Sequence, residues 1–281
     1  FLKFDGDPYL AVVDNHLTWI YDAYTTTSAY PYSQSIDLAA ATDNGLSGRA
    51  NYIRNSVKVT IDAYSGAMTY YLVNDKDPIA NTWAKAFPGL FTPIDATTSQ
   101  DLRNHFRYPE NLFQVQATQY ATYHVTEPES FFQKQDVWQI PPDAAQQSNG
   151  SGGGQLNVGP MHPYYVLMKL PNDTQERFQL ILPFTPEGRQ NMTSWMAANS
   201  DPDGYGTITV LQFPSSRNID GPTQIVSRIN QFTEFSQFRT LQNQQGSNVQ
   251  VGDLLVIPIG KSLIYVLPAY VRSEQAAIPE L

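Results

Sequence analysis

Carboxylates are the first residues whose types and spacing could do chemistry. Asp5, Asp7, Asp14 and Asp22 crowd into one short stretch, and Asp201 and Asp203 sit two apart in DPDG. Two carboxyls facing each other across a cleft suit glycoside hydrolysis, which needs them at a fixed separation. Aspartate is also the residue of turns and caps, and that structural role is the favoured reading. DPDGYG (201–206) carries alternate oxygen donors on a glycine-kinked loop, as calcium loops do. It lacks an acidic ligand at position five and a bidentate Glu at position twelve. An Asp-Gly turn leading into a strand is therefore favoured, and Asp201 and Asp203 stand as candidate calcium ligands beside it. No other cofactor is expected.

The histidines offer less. His16, His105, His124 and His162 form no HExxH or other close metal pair, and no serine sits in a G-x-S-x-G elbow. TWIYDAYTTTSAYPYSQ (18–34) looks most like a site, being dense in hydroxyls and aromatic rings. Trp19, Asp22, Tyr24, Thr25, Tyr30 and Tyr32 are its candidate ligand-binding residues. No His or Lys lies within it to activate a hydroxyl, so no catalytic residue is assigned. The competing reading is structural. A strand runs to about Asp22, then the Thr25–Thr27 hydroxyls satisfy loop amides, and Pro31 keeps Tyr30 extended. On that reading Thr25→Val or Tyr32→Phe lowers thermal stability.

Composition narrows the partners. The 281 residues include 17 basic and 26 acidic side chains, a net charge of −9, with no basic cluster. Nucleic-acid binding rests on phosphate neutralisation by clustered Lys and Arg, so that partner is excluded. There are no cysteines, which rules out disulfides and thiolate metal sites. The longest apolar runs, such as Leu254–Ile259, fall far short of the roughly 20 residues that span a bilayer. The chain starts at Phe1 in strand-like sequence, as a piece of a longer protein would.

The elements that must position these residues read as hairpins and helices. Tyr9–Val13 and Leu17–Tyr21 flank Asp14-Asn15-His16. Val57–Tyr64 alternates in a half-buried pattern and turns at Ser65-Gly66 into Met68–Val73. Asp77-Pro78 caps and opens a helix, Pro109 opens another, and Thr126-Pro128-Glu129 has capping-box spacing for a short third. In the second half, Tyr164–Leu170, Phe178–Pro183 and Thr207–Phe213 read as strands. Pro222 starts a helix that runs to near Gly246, and Leu254–Ile259 with Leu263–Val271 form a hairpin over Gly260-Lys261. The fold class is α+β with mainly antiparallel sheet. The expected organisation is a lobe over 1–143, a flexible Gly/Ser/Gln loop over 144–160 and a lobe over 161–281, or one continuous domain.

Several phrases together resemble a known family. FLKFDGDPYLAVVD (1–14), LTWIYDAYTTTSAYPYS (17–33), NYIRNSVKVTIDAYSG (51–66), KDPIANTWAKAFPGLF (76–91), LRNHFRYPENLFQVQ (102–116), YHVTEPESFF (123–132) and NSDPDGYGTITVLQFP (199–214) are similar to the uncharacterised protein family (UPF) 0182. Asn15 stands where the family pattern suggests Gly, a replacement that costs little in a turn. The resemblance implies the extracytoplasmic soluble region of a bacterial integral membrane protein, at the cell membrane, with N-terminal membrane helices as its natural partner. It carries no established catalytic residues. The expected role is binding or scaffolding in the cell envelope, with an envelope protein or glycan as partner. The alternatives are an envelope glycan-binding or glycan-hydrolysing enzyme and the substrate-handling domain of a transporter. A cleft lined by Trp19, Tyr24, Tyr30 and two carboxylates would favour the enzyme. An exposed apolar patch would favour the interaction module.

Overall fold

Alternation of apolar and polar residues builds the first sheet. The computed structural model describes residues 1–42, 45–149, 159–171, 173–214, 216–243, 246–259 and 262–273. Two compact units emerge, one of Phe1–Thr118 with Arg177–Leu180 and Ala198–Thr207, the other of Gln119–Glu176, Ile181–Ala197 and Ile208–Leu281. The fold class is α+β with mostly antiparallel pairing.

In the first unit, β1 (Leu2–Phe4) and β2 (Tyr9–Val13) pair one after the other along the same edge of β3 (His16–Thr27). Asp14 and Asn15 make the β2–β3 turn with φ of 49° and 67°, the left-handed pair that two-residue hairpins require. A small ladder of β4 (Ile36–Asp37) and β5 (Arg49–Ala50) brackets α1 (Leu38–Ala41). The other edge of β3 pairs with β6 (Tyr52–Asp62), which turns at Ser65-Gly66 into β7 (Met68–Leu72). Asp77 caps α2 (Pro78–Ala86), accepting from the amides of Ile79 and Ala80. The two-residue β8 (Thr92–Pro93) pairs parallel with β7, and Ser99 caps α3 (Gln100–Asn104). Next comes α4 (Glu110–Tyr123), whose last residues belong to the second unit.

Each face of this sheet has its own core. Val13 and Ile20 pack with Leu102 and Phe106 on one side. Ala23, Val57 and Val59 pack with Leu2, Tyr70, Leu72 and Phe91 on the other. The β6 alternation correctly sorts residues between faces, but the polar face is not a wet one: Lys58 and Thr60 are buried. The expected end of a strand near Asp22 is also corrected, since β3 stays paired through Thr27, opposite Tyr52.

The second unit holds α5 (Pro128–Phe132), β9 (Trp138–Gln139), α6 (Ala144–Asn149) and β10 (Tyr164–Met168). Glu127, rather than Thr126, is the N-cap of α5, and its side chain makes no capping bond. Within the expected loop, α6 is helical and 150–158 lie outside the described residues. A sheet follows in the order β10, β11 (Arg177–Pro186), β12 (Ser194–Asn199) and β13 (Ile208–Gln212), with β9 on β11. The strand β12 is unanticipated by the pattern because every residue in it is buried, leaving no alternation to read.

The helix expected from Pro222 is two helices, α7 (Pro222–Gln231) and α8 (Thr233–Asn243), parted at Phe232, which is extended with ψ of 126°. Last come β14 (Ser247–Val251), β15 (Leu255–Ile259), β16 (Ser262–Val266) and β17 (Ala269–Ser273). The hairpin of β15 and β16 is as expected, although its turn at 260–261 lies outside the described residues. The rest of the predicted second arm is β17, which pairs with β14 instead.

Candidate functional site

Register places the strongest polar cluster. Asp22 on β3 is directly opposite Lys58 on β6, so their side chains share a face and form an ion pair. Lys58 is fully buried. Its ammonium also donates to the Arg107 carbonyl at 2.9 Å and lies 5.3 Å and 5.6 Å from the rings of Phe106 and Tyr205. The Tyr205 hydroxyl donates to the same carbonyl at 2.9 Å. Burial pushes the Lys58 pKa down, and the Asp22 charge opposes that shift.

The corner between β1 and β2 closes the cluster. The Tyr24 hydroxyl donates to the Asp5 carboxylate, which also accepts from the Asp7 amide. Burial holds the Asp5 pKa above its usual value despite those two donors, and the Asp22 charge adds to the rise. Arg107 pairs with Asp7 and lies 4.0 Å over the Tyr9 ring. The Tyr9 hydroxyl donates to the His105 carbonyl at 3.0 Å, and its pKa is raised, by burial first and then by the charge of Asp22. Thus three of the four sequence-clustered aspartates, Asp5, Asp7 and Asp22, converge through partners distant in the chain. Asp14 does not; its amide donates to Asp101.

A second hub lies at the bulge in β3 and β6. The register slips between Ala23 and Tyr24, so Ser56 is the extra residue. Its hydroxyl and that of Thr25 both donate to the buried Asp77 carboxylate, which Tyr52 reaches at 2.8 Å. Burial pushes this carboxyl up, but the Ser56, Thr25 and Tyr52 hydroxyls and the Ile79 amide outweigh it, leaving the pKa below its usual value. The sequence-based expectation that the threonine hydroxyls hold loop amides is corrected here. Only Thr27 does so, accepting from the Ala29 amide at 3.1 Å. Thr25 spends its hydroxyl on a helix cap 52 residues away.

The remaining candidates do not assemble around these hubs. Tyr30 is exposed and stacks on Tyr52 at 5.6 Å. Tyr32 is fully exposed in a left-handed conformation, φ 55°. Trp19 is 40 % exposed on the opposite sheet face, in a row of directly paired residues: Leu10 on β2, Trp19 on β3, Ile61 on β6 and Met68 on β7. Leu10 and Met68 are 48 % and 57 % exposed, and Val12 and Phe4 add to this apolar surface. Trp19, Tyr24 and Tyr30 therefore line no common cleft.

In the 201–206 loop, the Asp203 carboxylate bonds Arg177 at 3.0 Å and Asp201 accepts from the Phe178 amide at 3.3 Å. Among the described residues no group of three His, Cys, Asp or Glu is placed to hold a metal. His124 stacks on Trp138 at 3.7 Å with Nδ1 3.1 Å from the Tyr120 carbonyl, a packed aromatic environment rather than a ligand set.

Chemically, a buried lysine with a depressed pKa is the raw material of a Schiff-base nucleophile. Lys58 has no exposed surface, however, and its protons go to Asp22 and the Arg107 carbonyl. The two hubs fix strand register and helix placement. The apolar row is exposed on the sheet face away from them. Sequence reasoning missed a feature of the second unit too, a cavity of about 560 Å³ on which Trp195 opens. Trp195 at the head of the short apolar run Trp195–Ala198 was the available signal.

Comparison with known proteins gives the chain its kin. The family model for the uncharacterised protein family UPF0182 matches residues 1–242. A UPF0182 protein of Trichodesmium erythraeum is 45 % identical over all of this chain and 30 % of its own length. One of Methanospirillum hungatei is 44 % identical over all of this chain and 30 % of its own length. One of Geobacter sulfurreducens is 44 % identical over all of this chain and 29 % of its own length. The chain thus spans about 30 % of the length of these curated relatives. No solved structure matches it. With most of its residues inside the family match and its whole length aligned to these relatives, the chain belongs to the uncharacterised protein family UPF0182.

Proposed function

We propose that this chain is an extracytoplasmic domain of a multi-spanning bacterial membrane protein and that it works by binding or scaffolding in the cell envelope, not by catalysis. The observation that supports this reading is the apolar row Leu10–Trp19–Ile61–Met68, which crosses four paired strands and faces outward. Contiguous apolar surface on a folded unit is the mark of an interaction site. The polar side chains that could do chemistry are instead buried and paired with one another. The partner we assign to the row is the remainder of the same polypeptide, including its N-terminal membrane helices. The relatives are more than three times as long as this chain, which leaves ample sequence for that role. Among the described residues no helix is long and apolar enough to cross a membrane.

The test uses the full-length protein in intact spheroplasts. A cysteine at the exposed Tyr32 position, in a background free of other cysteines, should react with a membrane-impermeant maleimide. A photo-crosslinking residue at Trp19 should give an internal crosslink to the membrane-embedded part. Labelling that appears only after lysis would refute the location. Free Trp19 probes with no crosslink to the same polypeptide would refute the partner.

A further inference from the structure

We propose that the cavity of the second unit binds a short neutral saccharide built of acetamido sugars. The cavity measures about 560 Å³, within the range of small-molecule sites. It lies among β12, β13, the loop after β13 and the β15–β16 hairpin, all within that unit. Trp195, Leu211, Phe213 and Leu263 give it carbon walls and belong to one apolar cluster. Gln212, Asn218 and Ser262 stand on the same lining. These three side chains are exposed, and among the described residues no hydrogen bond engages them.

Three observations select the ligand. First, the charged groups on the lining already have partners. The Asp220 carboxylate is paired with Arg228 at 2.5 Å, and Arg217 is engaged as well. A phosphate, carboxylate or ammonium would give up its hydration here without a free counter-charge, so the ligand is neutral. Second, the open polar groups are two carboxamides and a hydroxyl, each able both to donate and to accept. They come from three segments: Gln212 from β13, Asn218 from the loop after it and Ser262 from β16. That spread suits hydroxyls set around a ring. An alkyl chain would leave all three unpaired, and a peptide would present its amides along one line. Third, the carbon walls call for carbon in the ligand. A sugar ring offers its C–H faces, and an acetamido group adds a methyl for the walls and an amide for the carboxamides. The proposal stands apart from the apolar row of the first unit and from any membrane topology.

The 281-residue chain is titrated calorimetrically with N,N′-diacetylchitobiose and with chitobiose, its deacetylated counterpart, at a mildly acidic pH that keeps the amines charged. The two probes share a skeleton and differ in carrying acetamido or ammonium groups. The net charge of −9 favours the ammonium by simple attraction, so preference for the acetylated probe reports the cavity. Diacetylchitobiose should bind at least tenfold more tightly than chitobiose. N-acetyl-dialaninamide, neutral and rich in amides but without sugar hydroxyls, should also be at least tenfold weaker. Gln212→Ala and Asn218→Ala change exposed side chains and should leave the fold intact, which circular dichroism checks. Each should weaken diacetylchitobiose about fivefold. No binding of diacetylchitobiose, equal binding of either comparison probe, or unchanged affinity in both folded variants overturns the proposal.

Discussion

Replacing Lys58 by methionine isolates the energetics of the buried ion pair. Methionine keeps most of the volume and removes the charge, so the packing against Phe106 and Tyr205 is largely retained. What is lost is the cation that, among the described residues, is ion-paired with the buried Asp22 carboxylate. Removing one partner of a buried pair costs about 3–5 kcal/mol, because the remaining charge is left without compensation. At about 2–4 °C per kcal/mol for a unit of this size, the melting temperature should fall by about 6–20 °C. The Arg107 carbonyl keeps the Tyr205 hydroxyl at 2.9 Å, so that oxygen adds little to the cost. The decisive comparison is the double variant Lys58→Met with Asp22→Leu. Deleting both charges removes the desolvation penalty along with the attraction, so the double variant should return to within about 1 kcal/mol of the parent. Urea titration monitored by circular dichroism, run on both singles and the double, gives the coupling directly. A Lys58→Met variant within 1 kcal/mol of the parent, or a double variant no better than the single, would refute the reasoning.

Other perturbations follow the same physics. Thr25→Val removes a donor from the buried Asp77 carboxylate and should cost about 1–3 kcal/mol by denaturant titration. Because the folded Asp77 pKa lies below its unfolded value, its contribution is complete above the unfolded pKa of about 3.9 and fades as pH falls through the folded value; Asp77→Asn should flatten that acid limb. Asp5 acts in the opposite sense: its folded pKa is raised, so its contribution is full below about pH 3.9 and is lost as pH rises through the folded value, a loss that Asp5→Asn should abolish in a stability–pH profile. Tyr32→Phe, on a fully exposed side chain, should leave the melting temperature unchanged within the equivalent of about 0.5 kcal/mol, contrary to the expectation from sequence. At Gly221, the N-cap of α7, a Cβ would sit 1.9 Å from the Gln190 carbonyl oxygen, so Gly221→Ala must displace backbone and should cost at least about 2 kcal/mol in thermal unfolding.

Local chemistry was legible in the sequence and long-range pairing was not. The Asp14-Asn15 and Ser65-Gly66 turns and the Asp77-Pro78 helix start could be read because a few adjacent residues determine them. Lys58 could not. Its place in an alternating strand says which neighbours share its face, but whether that face meets water depends on Phe106 and Arg107, which lie far along the chain. The same limit explains Thr25, whose hydroxyl is spent on Asp77, and the four aspartates, of which the fold gathers three. The strand β12 was silent because burial on both faces erases periodicity.

The borders of the first sheet bear on how copies of this protein can associate. One border is divided between the short strands β1 and β2, which are interrupted by the Asp5–Pro8 corner. The other ends in the two-residue β8, where Pro93 has no amide hydrogen to donate. Neither border presents a long uninterrupted template for a further strand. Main-chain addition, the route by which sheets polymerise without limit, is therefore blunted. Whatever meets the row of Leu10, Trp19, Ile61 and Met68 must arrive broadside, and a broadside contact saturates once that surface is covered. For this sheet, then, a contact made through the row would be self-limiting, where an added strand would offer a new edge.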